Sequence, residues 1–211
     1  VLATVYRKPD KTLIALGHWP SELSQPSATT RPTPTAPTVD GRLTPGEWDQ
    51  AARLTNFIGL GSQELAELQT ECFVTYDEQR LYLAFRCATG GAPLKATATG
   101  RDGIVWEDDA VEVFIQPDIN AERYYQFVGN STGAFADGVG MDRSWDGEWD
   151  YHASVGDGVW EAELSIPFAS LGMATPTEGT IIGLNLARDQ QSPRAYLSSW
   201  APTSSSFHEV G

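Results

Sequence analysis

The sequence predicts an all-β domain, a two-sheet antiparallel β-sandwich of jelly-roll type with little helix. Three observations carry this expectation: short apolar runs separated by turn signals, a clean period of two in the clearest run, and a scarcity of helical patterning. The runs are Thr70–Tyr76, 81–87, Ala110–Gln116, 124–129, 151–155, 159–166, 181–187 and 195–200. In 159–166, Trp160, Ala162, Leu164 and Ile166 fall on one face and Glu161, Glu163 and Ser165 on the other, as in a half-buried antiparallel strand. Asp77, Glu78, Gln79 and Arg80 read as a turn between the first two runs. That turn sets Tyr76 opposite Leu81 and Cys72 opposite Phe85, with Cys87 one diagonal step away on the same face. A diagonal is long for a disulfide, so two buried thiols are the default and a bridge the alternative. One helix is expected over residues 44–53, with Thr44 as N-cap, Pro45 at the first position and Glu47 three residues on.

Composition divides the 211 residues into three segments. Residues 1–20 place two apolar runs around Lys8-Pro9-Asp10-Lys11, a β-hairpin that must pack on something and reads as the remnant of an upstream β domain. Residues 21–38 form a Ser/Thr/Pro-rich linker whose stretch 31–37 should be extended polyproline II. Residues 39–211 are the folded domain. Such Thr/Pro linkers point to a secreted, extracellular protein. There is no signal segment and no initial Met, so the chain reads as an internal or processed piece of a longer precursor. No run approaches the roughly 20 apolar residues of a membrane span. The 28 acidic against 14 basic residues give a net charge of −14, a field that repels nucleic acid and suits a neutral ligand or bound calcium.

Catalytic chemistry finds little footing. His18, His152 and His208 lie in separate segments, without the spacing of a zinc site. Gly129, Ser131 and Gly133 match a nucleophile elbow in letters, but the following helix is missing and the segment reads as a hairpin turn. Asn130-Ser131-Thr132 is also a glycosylation sequon. Glu107, Asp108, Asp109 and Glu112 crowd one segment, yet adjacent strand residues point apart, so a hydrolase pair is not singled out. Asp142, Ser144, Asp146 and Glu148 alternate around Gly147 like the first half of a calcium loop, while Ala153 stands where an EF-hand closes with Glu. An acidic turn and a calcium site both remain open there. Trp106 enters a strand ahead of four acids, and stands as either a ligand platform or a loop anchor.

Taken together, several segments resemble family 9 carbohydrate-binding modules. The carriers are Val39-Asp40-Gly41 with Glu47-Trp48, Tyr76-Asp77 followed by 81–85, 106–114 with its Trp-Glu-Asp-Asp opening, Tyr125-Gln126-Phe127 with Asn130, 160–167, 182–185 and Ser199-Trp200. The resemblance implies a β-sandwich with structural calcium, holding a mono- or disaccharide between two Trp rings with carboxylate, amide and Arg groups on its hydroxyls. It implies Trp106 as the first clamp ring, Glu112 as the hydroxyl-binding carboxylate and Arg194 as a binding Arg. Gln126 and Asn130 complete the ligand-binding candidates. The second clamp ring falls on Phe207, a second binding Arg falls on Val128, and an Asn of the site falls in 204–206.

The leading expectation is therefore a non-catalytic module of a larger secreted glycan-active protein, partnered by carbohydrate and by its upstream domain or neighbouring subunits. The alternative is a structural subunit of a surface assembly built by strand exchange. A hydrolase using Glu112 or Asp109 is the third reading.

Overall fold

The computed structural model describes residues 26–209 in full and the backbone of 13–16. Two sheets face each other. The first runs β2 (Ser27–Thr30), β1 (Leu13–Leu16), β12 (Ile181–Gln190), β7 (Ala110–Gln116), β8 (Tyr125–Asn130), β9 (Phe135–Val139), with β13 (Tyr196–Ser199) beside β12 and β4 (Ile58–Gly59) beside β13. The second runs β10 (Asp150–Val155), β11 (Val159–Pro167), β6 (Arg80–Ala88), β5 (Thr70–Tyr76), β3 (Ala52–Leu54). Every pairing is antiparallel except that of β1 with β12. The core between the sheets takes the inward residues of each alternation, among them Trp160, Ala162, Leu164 and Ile166 against Val111, Val113 and Ile115. Strand periodicity thus gave the sandwich its sides, and the hairpin register holds as expected, with Tyr76 opposite Leu81 and Cys72 opposite Phe85. Cys72 and Cys87 are free and buried; burial pushes the Cys87 thiol up to about 11 and Cys72 further above its ordinary value.

Three expectations change. The helix over 44–53 is absent; residues 45–51 are turns and bends, and β3 begins at Ala52. Gly46 has φ of 98°, a left-handed conformation no α-helix accommodates, which ends the capping box one turn after it begins. The outer face of β11 is not solvated either. Glu163 is fully buried, because residues 40–48 lie across it: its Oε2 accepts from the backbone N–H groups of Asp40, Gly41 and Arg42, and its Oε1 from Trp48 Nε1 at 2.9 Å. Finally, half of the expected linker is docked. Within 21–38, Ser27–Thr30 forms a strand, Thr30 Oγ1 donates to Val74 O at 2.6 Å, Thr75 Oγ1 donates to Arg31 O and Thr33 N donates to Tyr76 O. Short Ser, Thr and Ala side chains let this segment lie flat along the sandwich while its backbone groups find partners. From the expected upstream hairpin, Leu13–Leu16 pairs with 181–183 in this same sheet; its first arm lies outside the described residues.

Candidate functional site

On β7 the inward residues alternate with Ala110, Glu112, Phe114 and Gln116, which face away from the core. The register places Glu112 between Ala187 and Val128, Phe114 between Asn185 and Gln126, and Ala110 between Asp189 and Asn130. This outer face is covered rather than solvated, and Glu112 is only 4% exposed. Gln126 Nε2 donates to Glu112 Oε2, and the Asp189 carboxyl shares a hydrogen bond with Glu112. Burial pushes both carboxyls above their ordinary range; for Asp189 the neighbouring charge of Glu112 adds to it, whereas Gln126, Asp189 and Arg143 partly offset it for Glu112. Two carboxyls in contact in a dry place hold a proton between them. The guanidinium carbon of Arg143, whose charge bears on Glu112, lies 4.3 Å over the centre of the Trp106 ring.

Apart from the contact between the two carboxyls, three polar atoms on residues gathered around Glu112 are buried without a partner among the described residues: Gln126 Oε1, Asp189 Oδ2 and Arg143 Nη1. Such atoms are costly and uncommon in native folds. Here Arg143 lies on a half-buried indole that packs against Ala110 and Val128, the neighbours of Glu112 on the same sheet, so the face combines an aromatic plane with one free donor and two free acceptors.

The acids that follow Trp106 serve the scaffold. Trp106 sits in a 3-10 turn, Val105–Glu107. Behind it, Asp108 accepts from Thr97 N, Thr97 Oγ1, Ala98 N and Asn130 Nδ2, and Asp109 accepts from Lys95 N and Gln191 N. Burial alone would raise the Asp108 carboxyl, but those hydrogen bonds hold it below its ordinary value. Asn130 is exhausted: its Nδ2 also reaches Ala98 O, and its Oδ1 accepts from Thr132 N, Thr132 Oγ1 and Ala134 N. It is fully buried, so the amide offers nothing to a ligand and the sequon cannot be modified in the folded chain. The 129–133 segment is the β8–β9 hairpin turn, as expected.

The remaining expected residues separate. Phe207 is buried and packs 6.5 Å from Phe114, with His208 at 5.4 Å from the same ring and Tyr124 Oη 2.8 Å from His208 Nδ1. It is part of the floor, not a free clamp. Arg194 pairs with Glu67 at 3.0 Å, both well exposed, on a separate cleft of about 180 Å³ with Leu68, Gln190 and Tyr196. Of the six ligand-binding candidates, Trp106, Glu112 and Gln126 therefore gather. Arg143, Asp189, Tyr124 and His208 were missed. Asp189 becomes visible only once β12 pairs with β7, and Arg143 was hidden inside the acidic turn.

Nor do the four calcium candidates converge. Asp142 Oδ1 accepts from Ser144 N and Ser144 Oγ, Glu148 is 84% exposed and 4.0 Å from Arg80, and only Asp146 joins a carboxylate cluster, with Asp102 and Asp137. That cluster surrounds Arg101, which reaches Asp137 Oδ2 at 2.6 Å, Asp146 Oδ1 at 3.2 Å, Asp102 Oδ1 at 3.7 Å and Gly147 O at 2.9 Å. Calcium requires 6–8 oxygens, and here the guanidinium occupies their focus. The residues do not fit the ion as arranged. Thermal unfolding in excess EDTA is accordingly expected to match that in millimolar calcium within about 1 °C; a rise of several degrees with calcium would show that the ion displaces Arg101.

A two-sheet β-sandwich with an aromatic and a polar patch on one outer sheet face is an architecture that ligand-binding modules use. Residues 39–209 match the model of the carbohydrate family 9 binding domain-like family, and the chain belongs to that family. Comparison with curated proteins finds no match. Among solved structures the chain is similar to a Bacteroides uniformis protein named only provisionally as carbohydrate-binding, at 18% identity and a TM-score of 0.69 over 86% of this chain and 93% of that one. It is also similar to a family 9 carbohydrate-binding module of Caldicellulosiruptor kristjanssonii in complex with glucose, at 14% identity and a TM-score of 0.60 over 82% and 89% of the two chains. The cellotriose complex gives 13% identity and 0.59 over 86% and 97%.

Proposed function

We propose that this chain is a non-catalytic carbohydrate-binding module that holds a mono- or disaccharide on the Glu112 face. The observation that carries the reading is the set of three buried atoms around Glu112 without a partner among the described residues, one of them on the arginine that lies over Trp106. A sugar ring brings what they lack, since each hydroxyl both donates and accepts, while its C–H face packs on an indole. The glucose and cellotriose bound by the C. kristjanssonii module support the ligand class. Hydrolysis has less support. Catalytic carboxylates stand about 5–5.5 or 6.5–9.5 Å apart, whereas Glu112 and Asp189 are in hydrogen-bond contact and Asp109 is spent on backbone N–H groups. A secreted, glycan-active parent protein accords with the Thr/Pro-rich approach to the domain.

Titration with glucose and cellotriose, followed by calorimetry and Trp fluorescence, tests the reading. Trp106→Ala is expected to weaken binding by about 10- to 100-fold, the usual loss for a central aromatic. A wild-type protein that binds neither sugar, nor any glycan on an array, would sink it.

A further inference from the structure

Arg143 has a position that the fold alone does not account for. It follows a tight turn after β9 in which Val139 N donates to Asp142 O at 3.0 Å and Asp142 N donates to Val139 O at 2.9 Å. The turn folds back over the sheet at Gly138, which pairs with Gln126. A Cβ at 138 would lie 2.8 Å from Asp142 O and 3.6 Å from Arg143 Cδ, so the bare glycine is what lets the arginine cross the face. The guanidinium then covers Trp106, and its charge is felt at Glu112, Tyr124 and His208. Yet Arg143 forms no ion pair among the described residues, and its Nη1 is buried without an acceptor. A long cationic side chain held over a ring with an unused buried donor is an arrangement that a bound acceptor would complete.

The three free atoms differ in kind. Arg143 Nη1 donates only, whereas Gln126 Oε1 accepts and Asp189 Oδ2 accepts beside a shared proton. Neighbouring hydroxyls on one sugar ring answer all three, by offering an oxygen to the guanidinium and hydrogens to the two acceptors. A sugar carboxylate would answer only the arginine. It would face the Glu112 and Asp189 pair with a like charge in a dry setting, where repulsion is weakly screened.

We propose that Arg143 is the ligand-selecting residue of the face, donating to the hydroxyl oxygens of a neutral sugar whose hydroxyl hydrogens go to Gln126 and Asp189. The site is thereby set to read a neutral vicinal diol in preference to a uronic acid. This rests on the carbohydrate-binding reading, and it adds a residue from the turn after β9 to a site otherwise built from the Trp106 turn, β7, β8 and β12. Because the guanidinium lies on the Trp106 ring, a sugar that stacks there must move Arg143 from the indole onto its own hydroxyls.

The test compares wild type, Arg143→Met and Arg143→Lys in titrations with glucose, cellotriose and glucuronate, with thermal unfolding as a control for folding. Met keeps the apolar stem over Trp106 and removes every donor; Lys keeps the charge without the planar fork. Wild type should bind a neutral sugar and bind glucuronate at least about tenfold more weakly. Arg143→Met should lose about 10- to 100-fold for the neutral sugar, as when a charge-assisted hydrogen bond is removed, with its melting temperature nearly unchanged. Arg143→Lys should recover part of that loss. If wild type binds and Arg143→Met binds equally well or better, Arg143 is not a ligand contact, and the carbohydrate-binding reading survives. Glucuronate bound as tightly as glucose overturns the selectivity. A wild type that binds none of the three defeats both this proposal and the reading beneath it.

Discussion

Glu163→Ala is expected to destabilise the domain by about 4 kcal/mol. The carboxylate is fully buried, and one of its oxygens sits in a nest of three consecutive backbone N–H groups from Asp40 to Arg42, while the other accepts the Trp48 indole. Removing it leaves Gly41 N and Trp48 Nε1 unpaired under the 40–48 segment, while Arg42 N keeps Asp40 Oδ1 and Asp40 N keeps Thr38 O, and an unpaired buried donor costs about 1–3 kcal/mol. Burial pushes the Glu163 carboxyl above its ordinary value in spite of these hydrogen bonds, so part of the stability held at low pH is lost as the group ionises. For a chain of this size the midpoint should fall by roughly 8–16 °C. Limited proteolysis should open the chain near Arg42 first. Glu163→Gln separates the two halves of the anchor: its oxygen can still sit in the nest, but its NH₂ would face Trp48 Nε1, donor against donor. An intermediate loss is expected. A melting temperature for Glu163→Ala within 3 °C or so of wild type would mean that water replaces the carboxylate and that the segment is held by Trp48 packing alone.

How far the sequence reveals this molecule depends on the range over which each feature is set. The strand at 159–167 is legible because alternation is local, and the register of β5 with β6 follows from one four-residue turn. The same alternation misleads at Glu163, because a charged residue at an outward position reads as solvated; only the residues laid over it, more than a hundred positions earlier, make it an anchor. The helix over 44–53 fails for a local reason, the left-handed backbone of Gly46, which one glycine in a capping pattern does not announce. At the candidate site, the order of residues that the family resemblance carries points to Trp106, Glu112 and Gln126, and the structure sets Glu112 beside Gln126 with Trp106 against the neighbouring Val128. Asn130 and Phe207 were found, but with the wrong role, since their burial depends on Asp108 and Phe114. Asp189 and Arg143 were not legible: one meets Glu112 through the pairing of two strands distant in sequence, the other through a turn that crosses a sheet at Gly138.

Asp189→Asn should flatten the dependence of stability on pH and raise stability at neutral pH. The ordinary Asp value of 3.8 is the starting point of the window, and in the folded chain burial first, then the charge and hydrogen bond of Glu112, then Asp109, hold Asp189 well above it. A carboxyl with a raised folded pKa favours the folded state when protonated. Its contribution is complete below the unfolded value and is lost as pH rises towards the folded one. Within that window each pH unit costs the wild type up to about 1.4 kcal/mol. Asparagine holds the equivalent of the proton permanently: its Nδ2 can donate to Glu112 as the protonated carboxyl does, and it has no charge to bury. Denaturant unfolding of the two proteins at pH 4, 5, 6 and 7 should therefore give stabilities that diverge, with the variant ahead by more at each step. Glu112, relieved of a neighbour competing for the negative charge, should keep its hydrogen bond from Gln126, so sugar affinity in the variant should vary less with pH than in the wild type. Parallel stability curves for the two proteins would show that Asp189 ionises freely in the fold and that the carboxyl pair does not hold a common proton.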